Sequence, residues 1–203
     1  VALSLGNLQP RLNFVQRGAA HIRHVVLHLA EQVLLLLLLA SALLLANEAG
    51  LAKLGISPSR VTEIVSAAHT VAGLGLPNDP LRMTNAARAA AQAYKDARVG
   101  PADIDVAELH DCFSITEVQL YEALGFAKEG EGTRLLREGV TERDGRLPVN
   151  TGGGLISFGH PVGATGVKQV LEVHRQLTGK CGDYQVRRPL RTGLSANIGG
   201  DDR

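Results

Sequence analysis

The stretch Asn150-Thr151-Gly152-Gly153-Gly154-Leu155-Ile156-Ser157-Phe158-Gly159-His160-Pro161-Val162-Gly163-Ala164-Thr165-Gly166 decides how this chain is read. It sets His160 between a glycine and a proline, on a turn stiff enough to leave the imidazole few rotamers, as a general base or an oxyanion donor requires. A histidine that only caps a turn is the plainer alternative. Twelve of the 23 glycines lie between Gly145 and Gly200, so this third of the chain brings backbone closest to something else. Beyond the turn, apolar side chains at helical spacing predict a helix over 165–177, with Val167, Val170, Leu171, His174 and Leu177 on one face.

Working outward, apolar runs alternate with helical periodicity from Ala40 onward, the pattern of an α/β protein. Strands are expected over 43–45, 60–71, 104–109 and 192–198, with a short further element over 147–150. A helix over 47–54 is stopped by Gly55, and an Ala-rich helix over 84–98 is expected to be capped by Thr84 or Asn85. A third helix, 114–124, carries Ser114 as its expected cap with Glu117 completing a capping box. Residues 127–146 are charged and interrupted by glycine, and read as a solvated excursion.

Composition narrows the function classes. Lys plus Arg number 21 against 20 Asp plus Glu, a net charge of +1 that lacks the basic field non-specific nucleic-acid binding needs. The 45% hydrophobic content excludes a wholly disordered chain, while the aromatic content of only 3% means a core of aliphatics and alanine. Cys112 and Cys181 are too few for a disulfide scaffold, and the absence of a CxxC pair removes the usual zinc signature. Residues 1–30 contain no Asp or Glu but carry Arg11, Arg17, Arg23 and three histidines, a composition seen in organelle transit peptides. Val1 in place of an initiator Met implies a start that is incomplete or processed. From Val33 to Ala46 come 14 uncharged residues, nine of them Leu, fewer than the roughly 18 a membrane-spanning helix requires. A buried segment, a signal-type apolar region and altered sequence are the three readings of that run.

Reactive side chains gather at the ends of predicted strands, where open α/β sheets hold their ligands. His110-Asp111-Cys112-Phe113 ends one strand and opens a helix, whose dipole favours a thiolate at Cys112. Cys112 is therefore a candidate nucleophile or proton-transfer group, against the plainer alternative of an inert buried thiol. Asn197-Ile198-Gly199-Gly200 ends the last predicted strand. A metal site built from His110, Cys112 and His160 has no spaced ligand set to support it.

Taken in order, Asn150-Thr151-Gly152-Gly153-Gly154, Gly159-His160-Pro161 and Gly163-Ala164-Thr165-Gly166 resemble the C-terminal catalytic signature of the thiolase superfamily. His110-Asp111-Cys112-Phe113 narrows the resemblance to the sterol-carrier-protein type and related thiolase-like proteins, since most thiolases carry Asn-Glu-Ala-Phe there. The resemblance runs from about Ala40 to Gly200. It implies a thiolase-like layered α/β fold, a mixed sheet flanked by helices, divided as an atypical leader over 1–39, the end of an N-terminal thiolase domain over 40–59, and a C-terminal thiolase domain over 60–203 cut before its last strand.

The roles it implies carry over residue by residue. His160 would activate the acyl-accepting thiol and help bind a thioester oxygen. The second thiolase cysteine usually stands in Cys-x-Gly-Gly, but this chain has Asn197 there, so Cys112 is the expected acid/base. His110 takes the position of the asparagine that orients an oxyanion-hole water, Gly199 would donate its backbone N–H to the other oxyanion hole, and Asp111 would fix the loop. The nucleophilic cysteine belongs to an N-terminal half that this chain does not contain, and Cys181 has neither its neighbours nor its position. The implied activity of the intact protein is Claisen condensation or thiolysis of 3-ketoacyl-CoA in fatty acid or sterol side-chain metabolism. Acyl-CoA is then the substrate and no further cofactor or metal is expected. A homodimer or tetramer in a mitochondrial or peroxisome-type matrix, without a membrane span or nucleic-acid partner, completes the expectation. The alternative is a non-catalytic thiolase-like protein that binds CoA or lipid, or serves assembly.

Overall fold

The structure, a computed structural model, describes residues 2–4, 24–27, 41–73, 75 and 79–200. The Leu34–Leu39 run and most of the expected leader lie outside the described residues. Six strands form one sheet: β1 (Ala2–Ser4), β2 (His24–Leu27), β3 (Leu44–Ala46), β4 (Thr62–Ser66), β5 (Val106–Leu109) and β6 (Thr192–Ala196), in the order β3-β2-β4-β1-β6-β5. β5 and β6 run parallel and the remaining neighbours antiparallel, so the sheet is mixed, as the sequence predicts. Among the described residues six helices accompany it: α1 (Glu48–Leu54), α2 (Thr84–Ala97), α3 (Ser114–Ala123), α4 (Gly132–Arg137), α5 (Gly154–Phe158) and α6 (Thr165–Leu177).

Alternation along β5 divides the core into two layers. Ala107 and Leu109 face Leu120, Tyr121 and Leu124 at α3, together with Ala90 of α2. Val106 points the other way, onto Val170, Val173 and Leu177 of α6. Each buried Val or Leu among them contributes roughly 1.5–3 kcal/mol. β6 packs against α6 so closely that a Cβ at Gly193 would strike the side chain of Val173.

Several local expectations are corrected. The strand expected over 60–71 shrinks to β4, because Pro58 to Arg60 make a 3-10 turn and the ladder ends at Ser66. Met83, not Thr84 or Asn85, holds the N-cap position of α2, with no side-chain cap. Phe113 holds that position in α3, so Ser114 is already helical and the capping box does not form. Glu117 is drawn away by stronger partners, accepting from the Tyr121 hydroxyl and, at 2.9 Å, from Asn150 Nδ2. The excursion over 127–146 contains α4, which buries Leu135, and leads into the fully buried Leu147. Gly132 lets α4 approach α3: a Cβ there would stand 2.6 Å from the Val118 carbonyl oxygen. Charged residues around one or two anchors had concealed this element. The stretch over 147–150 contributes a single parallel bridge, Ala107 with Val149, and α5 is a helix that the glycine-rich pattern did not announce.

Candidate active site

The parallel register of β5 and β6 builds the site. Leu109 pairs with Ala196, so the next residue of each strand, His110 and Asn197, emerges side by side at the sheet's C-terminal edge. Asn197 Nδ2 lies 3.0 Å from His110 Nδ1 and donates at 2.9 Å to Gln169 Oε1 of α6. An amide nitrogen only donates, so His110 Nδ1 is the acceptor and the ring proton sits on Nε2. Burial, reinforced by the neighbouring His160 and opposed by Asp111, holds the His110 imidazole below its ordinary range. His110 is therefore neutral near pH 7 and offers an Nε2–H donor.

His160 reaches the same place from the α5–α6 turn. Its ring stands edge-on to that of His110, centroids 4.9 Å apart and planes at 83°. Nδ1 lies 2.8 Å from the Thr165 hydroxyl at the start of α6, and that hydroxyl donates to the Pro161 carbonyl at 3.1 Å. With its one proton so directed, Thr165 accepts from His160 Nδ1–H, which leaves the lone pair on Nε2. The two imidazoles are thus complementary: one presents a donor, the other a base. His160 is exposed whereas His110 is 4% exposed, so the base faces the outside.

Asp111 is 2% exposed and its Oδ1 accepts the Leu155 N–H at 2.8 Å, tying the β5–α3 corner to the first turn of α5. Asn150, at φ +49°, makes the companion tie: its Oδ1 accepts the Leu109 N–H at 2.8 Å while its Nδ2 holds Glu117. Cys112 is half-buried beside the start of α3, its Sγ 4.0 Å from the Thr116 hydroxyl. Gly199 is exposed, with open space where a Cβ would stand. A cavity of about 250 Å³ opens beside Asn197 and Gly199, walled by Ala86, Ala89 and Ala93 of α2.

Of the residues singled out from sequence, His110 contacts both His160 and Asn197, Asp111 fixes the corner that carries it, and Cys112 and Gly199 follow close in the chain. Sequence reasoning passed over Thr165 and Gln169, which orient the two histidines from one face of α6. Their signal is positional: they lie five and nine residues after His160, at the mouth of a predicted helix. Among the described residues no group of three or more His, Cys, Asp or Glu is placed to hold a metal ion, and no helix is long and apolar enough to cross a membrane.

The chain belongs to the thiolase C-terminal domain-like family, whose profile matches residues 66–201. It is 44% identical over 144 residues to the acetyl-CoA acetyltransferase of Methanothermobacter thermautotrophicus, covering 71% of this chain and 37% of that one. It is 35% identical over 168 residues to the benzoylsuccinyl-CoA thiolase subunit BbsB of Thauera aromatica, covering 81% and 42%. Sterol carrier protein 2 of Rattus norvegicus is 46% identical over 111 residues, 55% of this chain and 20% of that one. The chain thus spans less than half the length of these curated relatives. A solved structure of the Ltp2-ChsH2(DUF35) aldolase superposes with a TM-score of 0.56 at 25% identity, covering 64% of this chain and 34% of that one.

The two thiols are set apart by their surroundings. Cys181 is 3% exposed, and burial first, then the nearby Glu172, pushes its thiol up to about 12. In the native chain iodoacetamide should therefore alkylate Cys112 at least about tenfold faster than Cys181, read by peptide mass spectrometry. Preferential labelling of Cys181 would contradict this assignment of environments.

Proposed function

We propose that this chain supplies the catalytic C-terminal half of an acyl-CoA thiolase of the acetyl-CoA acyltransferase type, which joins or cleaves 3-ketoacyl-CoA by Claisen condensation or thiolysis. The observation that carries the reading is the complementary pair of imidazoles, His110 donating and His160 accepting, at the edge where β5 and β6 end. Resemblance to acetyl-CoA acetyltransferase and benzoylsuccinyl-CoA thiolase supplies the substrate class.

In the condensing direction an acyl group rides as a thioester on a cysteine outside residues 66–201. Cys112, as thiolate, removes an α-proton from acetyl-CoA, and the enolate oxygen is held by the His110 Nε2–H through a water. The carbanion attacks the acyl carbonyl and forms the carbon–carbon bond; the resulting oxyanion is met by the Gly199 N–H, and its collapse expels the cysteine thiolate. His160 balances the proton of that thiol. Thiolysis is the reverse: the acyl-accepting cysteine attacks the 3-keto carbonyl, the carbon–carbon bond breaks, Cys112 returns the proton to the departing acetyl-CoA enolate, and CoA thiolate then takes the acyl group from the cysteine. Asp111 acts by fixing the corner that carries His110 and Cys112. Fatty acid or sterol side-chain metabolism is the setting this chemistry serves.

One partial reaction does not involve the acyl-accepting cysteine. In D₂O the chain should exchange the acetyl protons of acetyl-CoA for deuterium, read by NMR, and Cys112→Ala should slow that exchange by about 10²-fold or more. Exchange no faster than buffer, or undiminished in the variant, would sink the proposal. A second reading is favoured by Asn197, which stands at the usual cysteine position and is engaged by His110 and Gln169. In that reading the domain binds CoA thioesters without turning them over, and its signature is acetyl-CoA binding with no exchange.

A further inference from the structure

Glu108 lies two residues before His110 on β5 and is 1% exposed, yet its Oε1 has no hydrogen-bond partner among the described residues. It shares the face of Val106 and looks into a cavity of about 150 Å³ beneath the His160 turn. Leu155 and Phe158 of α5, Pro161 of the turn, and Thr165 and Lys168 of α6 line the same space. The cavity therefore touches the helix before His160, the residue after it and its hydrogen-bond partner.

Lys168 is the movable charge in this chamber. Its ammonium lies 3.0 Å from the centroid of the Phe158 ring and 3.7 Å from Glu172 Oε1. Glu172 is shared with Arg175 at 3.3 Å. Glu108 is faced by Lys168 and Glu172 from α6, by Asp111 from the corner after β5, and by Glu117 from α3. Burial is the largest cause holding the Glu108 carboxyl up at about 8; Lys168 opposes it, and the carboxylates of Glu172, Asp111 and Glu117 add to it. Once ionised, an unpartnered buried carboxylate is costly, and Lys168 is the cation able to relieve it.

We propose that Glu108 is a positioning residue for the turn that carries His160. Uncharged, it leaves the Lys168 ammonium on Phe158 and Glu172, which anchors the end of α5 against α6. Ionised, it draws Lys168 into the cavity, releases Phe158 and lets the Gly159-His160-Pro161 turn shift. The link to catalysis rests on the thiolase reading, whereas the coupling itself does not.

The test is an NMR titration of the isotopically labelled full chain from about pH 6 to about pH 9, across the range where His and a raised Glu titrate. The Phe158 ring and the Lys168 ε-methylene should move together with a midpoint near 8, and the His160 ring should show a second inflection there. Glu108→Gln, an uncharged mimic, should abolish that common inflection. Its absence from the wild type, or its persistence in the variant, overturns the proposal. Should the variant fail to fold, the wild-type Glu108 carboxyl carbon must share the midpoint, and a different midpoint is equally fatal. In the acetyl-CoA exchange assay, the ratio of wild-type to Glu108→Gln rates should fall roughly tenfold one pH unit above the midpoint. The common inflection without any exchange activity supports the Glu108 assignment and overturns the thiolase reading alone.

Discussion

A His160→Ala variant should thiolyse 3-ketoacyl-CoA about 10³-fold more slowly than its parent, measured in the polypeptide or complex that supplies the acyl-accepting thiol. A positioned base contributes roughly 10²–10⁴-fold, and in the proposed reading His160 also helps to stabilise a thioester oxygen, so the loss belongs near the middle of that range or above it. The decrease should fall on kcat more than on KM, because an imidazole that moves a proton acts in the transition state and not on the bound substrate. Thr165→Val provides the graded control. It removes the hydroxyl 2.8 Å from His160 Nδ1 and frees the ring to rotate or change tautomer, for an expected loss of roughly tenfold. A His160→Ala enzyme within tenfold of its parent would remove His160 from the chemistry.

Gly154→Ala should lower the stability of the domain by roughly 3 kcal/mol or more. Gly154 sits at φ +61°, where an L side chain costs about 1–2 kcal/mol by itself. The added Cβ would also fall against Asp111 Oδ2 and lie 2.6 Å from its Cγ. Asp111 cannot retreat without giving up the Leu155 N–H it accepts at 2.8 Å, a buried charge-assisted bond of about 1.5–3 kcal/mol. Thermal unfolding of variant and parent measures the total, and exchange activity should fall with it because Asp111 frames both histidines. An unchanged melting temperature would show that the corner is looser than its geometry implies.

Much of this was legible in the sequence because local chemistry dictates it. Gly55 stops α1 as the sequence predicts, taking φ +64°, while Asn47, expected as the first helical residue, is its cap, with Oδ1 accepting the Gly50 N–H at 2.9 Å. The amphipathic spacing over 165–177 gave α6 its limits, since burying that face is what makes the helix stable. The ends of α2 and α3 were misread for the opposite reason. A Ser or Thr near a helix start competes with packing and with other acceptors, and at Glu117 the Tyr121 hydroxyl and the Asn150 amide win. Glu108 could have been noticed as a lone charge in an apolar strand, but nothing local says that its Oε1 would lack a hydrogen-bond partner among the described residues.

By itself the sequence determined the residue types of the site and their order: His110-Asp111-Cys112-Phe113, the Gly159-His160-Pro161 turn and Asn197 before two glycines, each at the end of an element. It also determined the α/β class, because hydrophobic period is a property of neighbouring residues. The tertiary structure alone decided which of these meet. Parallel pairing of β5 with β6 in one register brings His110 beside Asn197, 87 positions apart, and the fold of α5 onto α6 brings the His160 ring against that of His110. Register and helix placement are settled by what the whole sheet buries on both faces, so the proton positions on the two histidines, which follow from their partners, could be read only there.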